Sequence, residues 1–315
     1  MRAVWLTEFG GPETLVGGDA PDPIPGPGQV VVDVAYAGVT FVETQYRRTG
    51  LGPFTLRPPA VPGNGVSGVV ASIADDVDPT LLGARVVTST GGRGGYAERA
   101  LADASDLVVV PDGVALDAAV ALLADGRTAQ LNLRAVGPLT GRRVLVLAAA
   151  GGVGTLQVQL ARAAGATVLG AAGLTPAKAD LLADLGAEPV DYRRPDWTAA
   201  LPPVDVVLDG VGGSVAARAF DLLRPGGRML SYGLAAGTWA DIAPDTAAAR
   251  GVTLVKGSRP TAAEARDLVT AILAAAETGQ VRPVIGQRFP LERAADAHAA
   301  IESRATIGKT VLEVR

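Results

Sequence analysis

A short run of glycines after an apolar segment is where this chain carries its clearest chemistry. The apolar residues 144–147 lead into Ala-Ala-Ala-Gly-Gly-Val-Gly at 148–154. A helix-period segment follows over 155–165, and 166–171 reads as a second strand. Strand, tight turn, helix and strand is the setting in which a glycine triplet binds a dinucleotide. The triplet here is Ala149, Gly151 and Gly154, an A-x-G-x-x-G variant. Gly151 lets the backbone approach a pyrophosphate, and Gly154 lets the helix pack close on the strand. Ala150, Gly151, Gly152, Val153 and Gly154 are the expected cradle, with the amides of the helix start and its dipole facing the phosphates.

The type of dinucleotide follows from what stands at the end of the second strand. An acid there, ~20 residues beyond the glycine turn, hydrogen-bonds the ribose 2′-hydroxyl of NAD. That distance lands on Ala171-Ala-Gly-Leu174, which holds no acid, and the next charge is Lys178. A 2′-phosphate meets no repulsion and has a cation nearby, so NADPH is favoured over NADH.

Composition closes off other chemistries. The chain has 315 residues, 48% hydrophobic and 19% charged, enough for two domains with a sizeable core. A net charge of −4 does not support a general nucleic-acid surface. There is no cysteine and one histidine, His298. Disulfides, thiol nucleophiles and cysteine-ligated or multi-histidine zinc sites are thereby removed, and no metal is expected. Residues 1–10 lack a signal-peptide core, and no run approaches the ~20 apolar residues of a membrane span. A cytoplasmic protein is the expectation.

The elements that must position the turn divide the chain. Up to about 115 it is rich in Val, Gly and Pro, with short strands expected at 30–36, 66–73 and 84–88. Helical composition appears at 117–124 and again at 128–134. From 143 to about 255 strands and helices alternate, with strands expected at 204–208, 228–232 and 252–255 and helices at 177–185 and 215–223. Such alternation argues for a doubly wound parallel sheet. The segment 223–228, with Pro225-Gly226-Gly227, reads as a helix-ending turn. Helices at 261–278 and 294–302 and a strand at 310–314 are too small a unit to stand alone, so this tail is expected to return to the first domain.

Several segments in order resemble one family across nearly the whole length. Ala37-Gly-Val-Thr-Phe-Val-Glu-Thr-Gln-Tyr-Arg47 is similar to a "GVNFxDxxxR" segment, and 61–70 matches "xPGxxxxGxV". Gly94-Gly-Tyr-Ala-Glu98, Asp125-Gly-Arg-Thr-Ala129, the glycine turn and 297–309 follow at matching spacing. The chain thus resembles the zinc-independent quinone oxidoreductases of the medium-chain dehydrogenase/reductase superfamily. The resemblance implies an α/β protein: a GroES-like catalytic domain of residues 1–118, completed by 256–315, around a Rossmann domain of 119–255. It also implies a homodimer. Gly173, Lys178, Tyr192 and Arg304 align with positions around the adenosine 2′-phosphate, and Thr128 with a threonine near the nicotinamide ribose. The zinc relatives' ligand positions are filled here by other residues, among them Asn64-Gly65 and Ala37. Within the quinone reductase branch, the usual Asn and Asp of "GVNFxD" are Thr40 and Glu43.

Without a metal, hydride transfer rests on placement and on donors to the oxygen that gains charge. Acceptors that stabilise that charge are quinones and α,β-unsaturated carbonyls. Thr40, Tyr46 and Thr128 are the hydroxyls expected near it, with Tyr46 as the expected general acid. His298 lies in an alanine-rich helical stretch and reads as structural. The expected function is an NADPH-dependent quinone reductase. An enone or enoyl reductase of secondary metabolism and a non-catalytic NADPH-binding protein are the alternatives.

Overall fold

The computed structural model describes residues 1–315. It divides into two units, residues 1–127 with 261–315, and residues 128–260. The division falls inside one long helix rather than near 118, because the two helical segments flanking Asp125-Gly126-Arg127 are continuous over Leu116–Val136.

The first unit opens with an antiparallel ribbon of β1 (Arg2–Leu6) and β2 (Leu15–Asp19). Next come β3 (Gln29–Val39), α1 (Phe41–Thr49), β4 (Gly65–Ile73), β5 (Arg85–Ser89), β6 (Arg99–Asp103) and β7 (Val108–Val109). α2 is the helix Leu116–Val136. β3 is long because its valines fit a pleated, half-buried surface, and both halves are buried. α1 starts at a reciprocal cap: Thr40 accepts from the Glu43 amide while the Glu43 side chain takes the Thr40 amide. It stops at Gly50, whose φ of 69° is the left-handed conformation that glycine adopts without strain.

The second unit runs β8 (Arg143–Leu147), α3 (Gly152–Ala163), β9 (Thr167–Ala172), α4 (Pro176–Asp184), β10 (Glu188–Asp191) and β11 (Val204–Asp209). It continues with α5 (Gly213–Asp221), β12 (Leu223–Ser231), α6 (Pro244–Ala249) and β13 (Thr253–Val255). All six strands are parallel, in the order β10-β9-β8-β11-β12-β13. This is the doubly wound dinucleotide-binding order, 3-2-1-4-5-6 counted along this unit. Alternate side chains leave by opposite faces. Leu145, Leu147, Leu169 and Val207 pack with α5 and α6, whereas Val144, Val146, Val168 and Leu208 pack with α3 and α4. Every residue of β11 is buried, as expected for a central strand covered on both sides. The segment 223–228 is not the expected turn. It belongs to β12, and Pro225-Gly226-Gly227 is absorbed where the pairing with β11 shifts register.

The tail adds α7 (Ala262–Glu277), β14 (Ile285–Pro290), α8 (Ala294–Glu302) and β15 (Lys309–Glu313). It belongs to the first unit, as its small size suggested. β15 lies parallel to β14 and antiparallel to β3 in the sheet β14-β15-β3-β4-β5-β7, where β6 also pairs with β3. Leu312 joins Val34, Tyr96 and the α8 residues Ala294 and Ala297 in one core. No helix is long and apolar enough to cross a membrane.

Candidate active site

In the second unit the glycine turn sits at the C-terminal end of β8. Strand order reverses between β8 and β11, which is where ligands of such sheets bind. Ala148 opens the turn with φ 56°, a left-handed conformation uncommon for a residue with a side chain. Its carbonyl accepts the Gly151 amide at 3.0 Å. Gly151 is the N-cap of α3, and no side chain caps that helix. A Cβ on Gly154 would lie 2.3 Å from the Ala148 oxygen and 2.7 Å from the Ala149 Cα, so only glycine lets α3 sit this close to β8. The turn therefore leaves helix-start amides without side-chain caps, as a pyrophosphate cradle requires. Ala150, Gly151, Gly152, Val153 and Gly154 all lie in it.

The expected adenosine end is assembled from β9, α4 and β10. Gly173 follows the last residue of β9, and Tyr192 follows β10, its amide donating to the Ala172 carbonyl at 3.2 Å. Lys178 is buried in the first turn of α4, whose N-cap Thr175 accepts its amide at 3.3 Å. Burial, and then the nearby Arg193 guanidinium, lower the pKa of its ammonium. Sequence reasoning missed two residues here. Asp191 ends β10 opposite Ala172, so an acid does reach the end of β9, from the neighbouring strand. It is spoken for: Oδ1 accepts from the Leu174 amide at 3.2 Å and from Arg193 Nε at 3.0 Å. The Arg193 bonds, outweighing burial, hold its pKa at about 2. Arg193 also donates to the Leu174 carbonyl, and its Cδ would be 3.3 Å from a Cβ on Gly173. The charged run Asp-Tyr-Arg-Arg at 191–194 was the available signal for both residues.

A third unforeseen residue is Asp209, fully buried at the end of β11. One oxygen accepts the Val211 and Gly212 amides, each at 2.8 Å, and the other accepts the Ser231 hydroxyl at 2.8 Å. It ties the loop after β11 to the end of β12. Burial outweighs these bonds and raises its pKa.

In the first unit the polar groups gather around the start of α1. The Thr40 hydroxyl lies 2.6 Å from Glu43 Oε2, which also accepts the Thr40 amide at 2.8 Å. Glu43 Oε1 accepts the Asn64 amide at 2.9 Å. Asn64 in turn takes the Ser89 hydroxyl on its own Oδ1 at 2.8 Å. Glu43 is buried, and that burial raises its pKa against these bonds and the charge of Lys309. Lys309, buried in β15, pairs with Asp125 of α2 at 3.3 Å. Thr128, half-buried in the same helix, is the first residue of the second unit.

Tyr46 is held differently from Thr40. It is buried between Phe9 and Phe54, edge-on to both rings, and its hydroxyl donates to the Leu56 carbonyl at 2.5 Å. The phenol is therefore committed to packing inside the unit, whereas Thr40 is half-buried. Arg304 is exposed just beyond α8 with φ 59°. Its near neighbour Glu302 pairs with the buried Arg47. His298 is a core residue, with Nε2 3.0 Å from the Tyr96 hydroxyl and Nδ1 without a partner. The two glycine-rich motifs meet here, for the Tyr96 amide donates to Pro62 and a Cβ on Gly63 would strike the Tyr96 ring.

Residues 26–112 match the family described as "Alcohol dehydrogenase GroES-like domain", and residues 185–312 match "Zinc-binding dehydrogenase". The zinc of the second description finds few of its usual donors here, since the chain has no cysteine and its one histidine is buried against Tyr96. The quinone oxidoreductase of Pseudomonas aeruginosa is 33% identical, covering 99% of this chain and 99% of that protein. The crystal structure of Escherichia coli quinone oxidoreductase complexed with NADPH superposes with a TM-score of 0.91 at 26% identity, over 100% of both chains. A structure described as an NAD-dependent alcohol dehydrogenase superposes with a TM-score of 0.90 at 29% identity, again over 100% of both. With the GroES-like and doubly wound units in the order its motifs require, the chain is an oxidoreductase that belongs to the quinone oxidoreductase family of the medium-chain dehydrogenases and reductases.

Proposed function

We propose that this protein is an NADPH-dependent, zinc-independent reductase that delivers a hydride to a quinone or a related conjugated carbonyl. The observation that carries the cofactor choice is Arg193 beside Gly173, with Lys178 near enough to Arg193 for their charges to interact. Burial, and then the neighbouring Arg193 charge, disfavour the Lys178 ammonium, and an anion between the two cations relieves the repulsion. A 2′-phosphate is such an anion. Asp191 and Arg193 form an ion pair, so of these three groups the net positive charge offered to the phosphate is that of Lys178. Tyr192 and Arg304 are proposed to complete the adenosine site. Ala150, Gly151, Gly152, Val153 and Gly154 hold the pyrophosphate, and Thr128 the nicotinamide ribose.

When bound, the cofactor supplies the hydride. The protein's part is to orient it, exclude water and meet the negative charge that builds on the acceptor oxygen. Thr40 and Thr128 are proposed as the hydroxyls near that oxygen, with Tyr46 shaping the packing under Thr40. The protein is proposed to act in the cytoplasm as a homodimer. β13 leaves an unpaired strand edge on the second unit that a second copy can cover.

The test is steady-state NADPH oxidation against a panel of quinones and enones. Turnover of quinones supports the reading, and turnover of enones alone moves the substrate class to the alternative. Tight NADPH binding without turnover on any acceptor refutes the enzyme reading in favour of a binding protein.

A further inference from the structure

Glu43 is a buried carboxyl whose only side-chain hydrogen bond is to a hydroxyl. Its other contacts are the Thr40 and Asn64 amides, which donate and cannot do otherwise. The 2.6 Å contact between Oε2 and the Thr40 hydroxyl is different. With Glu43 ionised, the hydroxyl donates to Oε2. With Glu43 protonated, Oε2 donates to the hydroxyl oxygen, and the hydroxyl's own hydrogen can turn elsewhere. The same heavy-atom positions serve both states. Thr40 is half-buried while Glu43 is buried, so the hydroxyl is the carboxyl's way out. The "GVNFxD" segment that this stretch resembles has an amide at the Thr40 position, which does not exchange protons in this way.

We propose that Glu43 supplies the proton that completes the reduction, acting through the Thr40 hydroxyl. The inference rests on the reading of the protein as a reductase of conjugated carbonyls. Hydride addition brings two electrons to the acceptor and leaves negative charge on its oxygen. The Thr40 O–H bond breaks as its hydrogen joins that oxygen, and the Oε2–H bond of Glu43 breaks as its proton restores the hydroxyl. Glu43 is left as a carboxylate and regains a proton from solvent before the next turnover. Thr40 touches the substrate, and Glu43 is a positioning and proton-holding residue behind it.

The surroundings suit both charge states. Burial favours the acid form before reaction. The Lys309 ammonium of β15 and the Thr40 and Asn64 amides favour the carboxylate that remains. Asp125 of α2 shares Lys309 and tempers its pull. Arg47, Tyr96 and His298 line the same small cavity as Glu43, and of these only Arg47 is charged at neutral pH.

The experiment is the pH dependence of NADPH oxidation with a benzoquinone, for the wild type, Glu43→Gln, Thr40→Val and Thr40→Ser. The wild-type kcat is expected to fall as pH rises through the raised pKa of Glu43. Glu43→Gln and Thr40→Val are each expected to lower kcat about 10²-fold and to erase that limb, with the KM for NADPH within about twofold. The double variant is expected to be no slower than either single one, and Thr40→Ser to keep both rate and limb. Should Glu43→Gln fail to fold, the contrast between Thr40→Val and Thr40→Ser decides. A limb that persists in Glu43→Gln, or equal rates for Thr40→Val and wild type, overturns the relay while leaving the reductase reading intact. The absence of turnover on any acceptor overturns the reading and the relay together. A carboxylic-acid infrared band on the low-pH side of the kcat limb, lost in Glu43→Gln, reads the protonated state without turnover, and its absence from the wild type overturns the relay.

Discussion

Acidification should destabilise the first unit through its single histidine. His298 is 2% exposed, and burial, followed by the Arg47 charge, depresses its pKa from 6.5 to about 3. A base whose pKa is lowered by folding leaves stability intact above the unfolded value. As pH falls below that value the unfolded chain takes up a proton that the folded chain refuses. Each unit of pH in the window between 6.5 and about 3 then costs about 1.4 kcal/mol. From neutral pH to about pH 5 the loss is about 2 kcal/mol, or about 4–8 °C in Tm for a unit of this size. The control is His298→Phe, which keeps a ring but cannot take a proton. It carries a fixed cost from the Tyr96 hydroxyl left unpaired, of about 1–3 kcal/mol, at every pH. Glu43 works in the opposite direction, since its raised pKa favours the folded state on acidification, but it does so equally in both proteins. Urea midpoints by far-ultraviolet circular dichroism, taken from neutral pH to about pH 5, should therefore converge as the wild type loses its advantage. Lines that stay parallel across that window would sink the argument.

Three further outcomes follow from the site. Lys178→Ala and Arg193→Ala should each weaken NADPH at least about tenfold and NADH far less, as a lost charge-assisted bond to a 2′-phosphate requires. Equal losses for the two cofactors in a fluorescence titration would refute the 2′-phosphate role. Gly154→Ala should cost about 1–3 kcal/mol of stability and most of the cofactor affinity, because its Cβ would meet backbone at 2.3 Å; a variant with wild-type midpoint and affinity would contradict the packing. Lys309→Met should cost about 3–5 kcal/mol by leaving Asp125 buried and unpaired, while Lys309→Met with Asp125→Leu should recover most of it. Denaturation midpoints check this, and a double variant as weak as the single would count against the pair.

Much of the second unit was legible because its signals are local. Residues 144–171 contain a strand, a turn, a helix and a second strand whose period, glycines and order are all visible in sequence. What was not legible depended on partners far along the chain. Gly126 reads as a helix break, yet α2 runs through it, because a Cβ there would press on Ile272 of α7 at 3.0 Å and the glycine serves that approach. Asp191 lies well past the ~20-residue spacing that would mark it, and only strand pairing brings it beside Ala172. Arg47 finds Glu302 across 255 residues, a pairing that no local spacing announces. Thr40 and Glu43 were visible as departures from a motif, but the burial of one and the half-burial of the other came only with the fold.

The placement of β15 has a consequence for how the protein is made. β3 is paired along one side by β6 over Gln29–Asp33 and by β15 over Tyr36–Val39. Synthesis delivers β6 soon after β3, but β15 leaves the ribosome only after the whole second unit and β14. The second unit lies wholly between them and can close its parallel sheet first, as domains fold in units during synthesis. Until then Tyr36–Val39 is an open strand edge over a half-built core, without Lys309 and with Glu43 lacking its counter-charge. The same late strand that completes the sheet thus also completes the polar cluster, so a nascent chain cannot hold the Glu43–Lys309 arrangement before β15 is released.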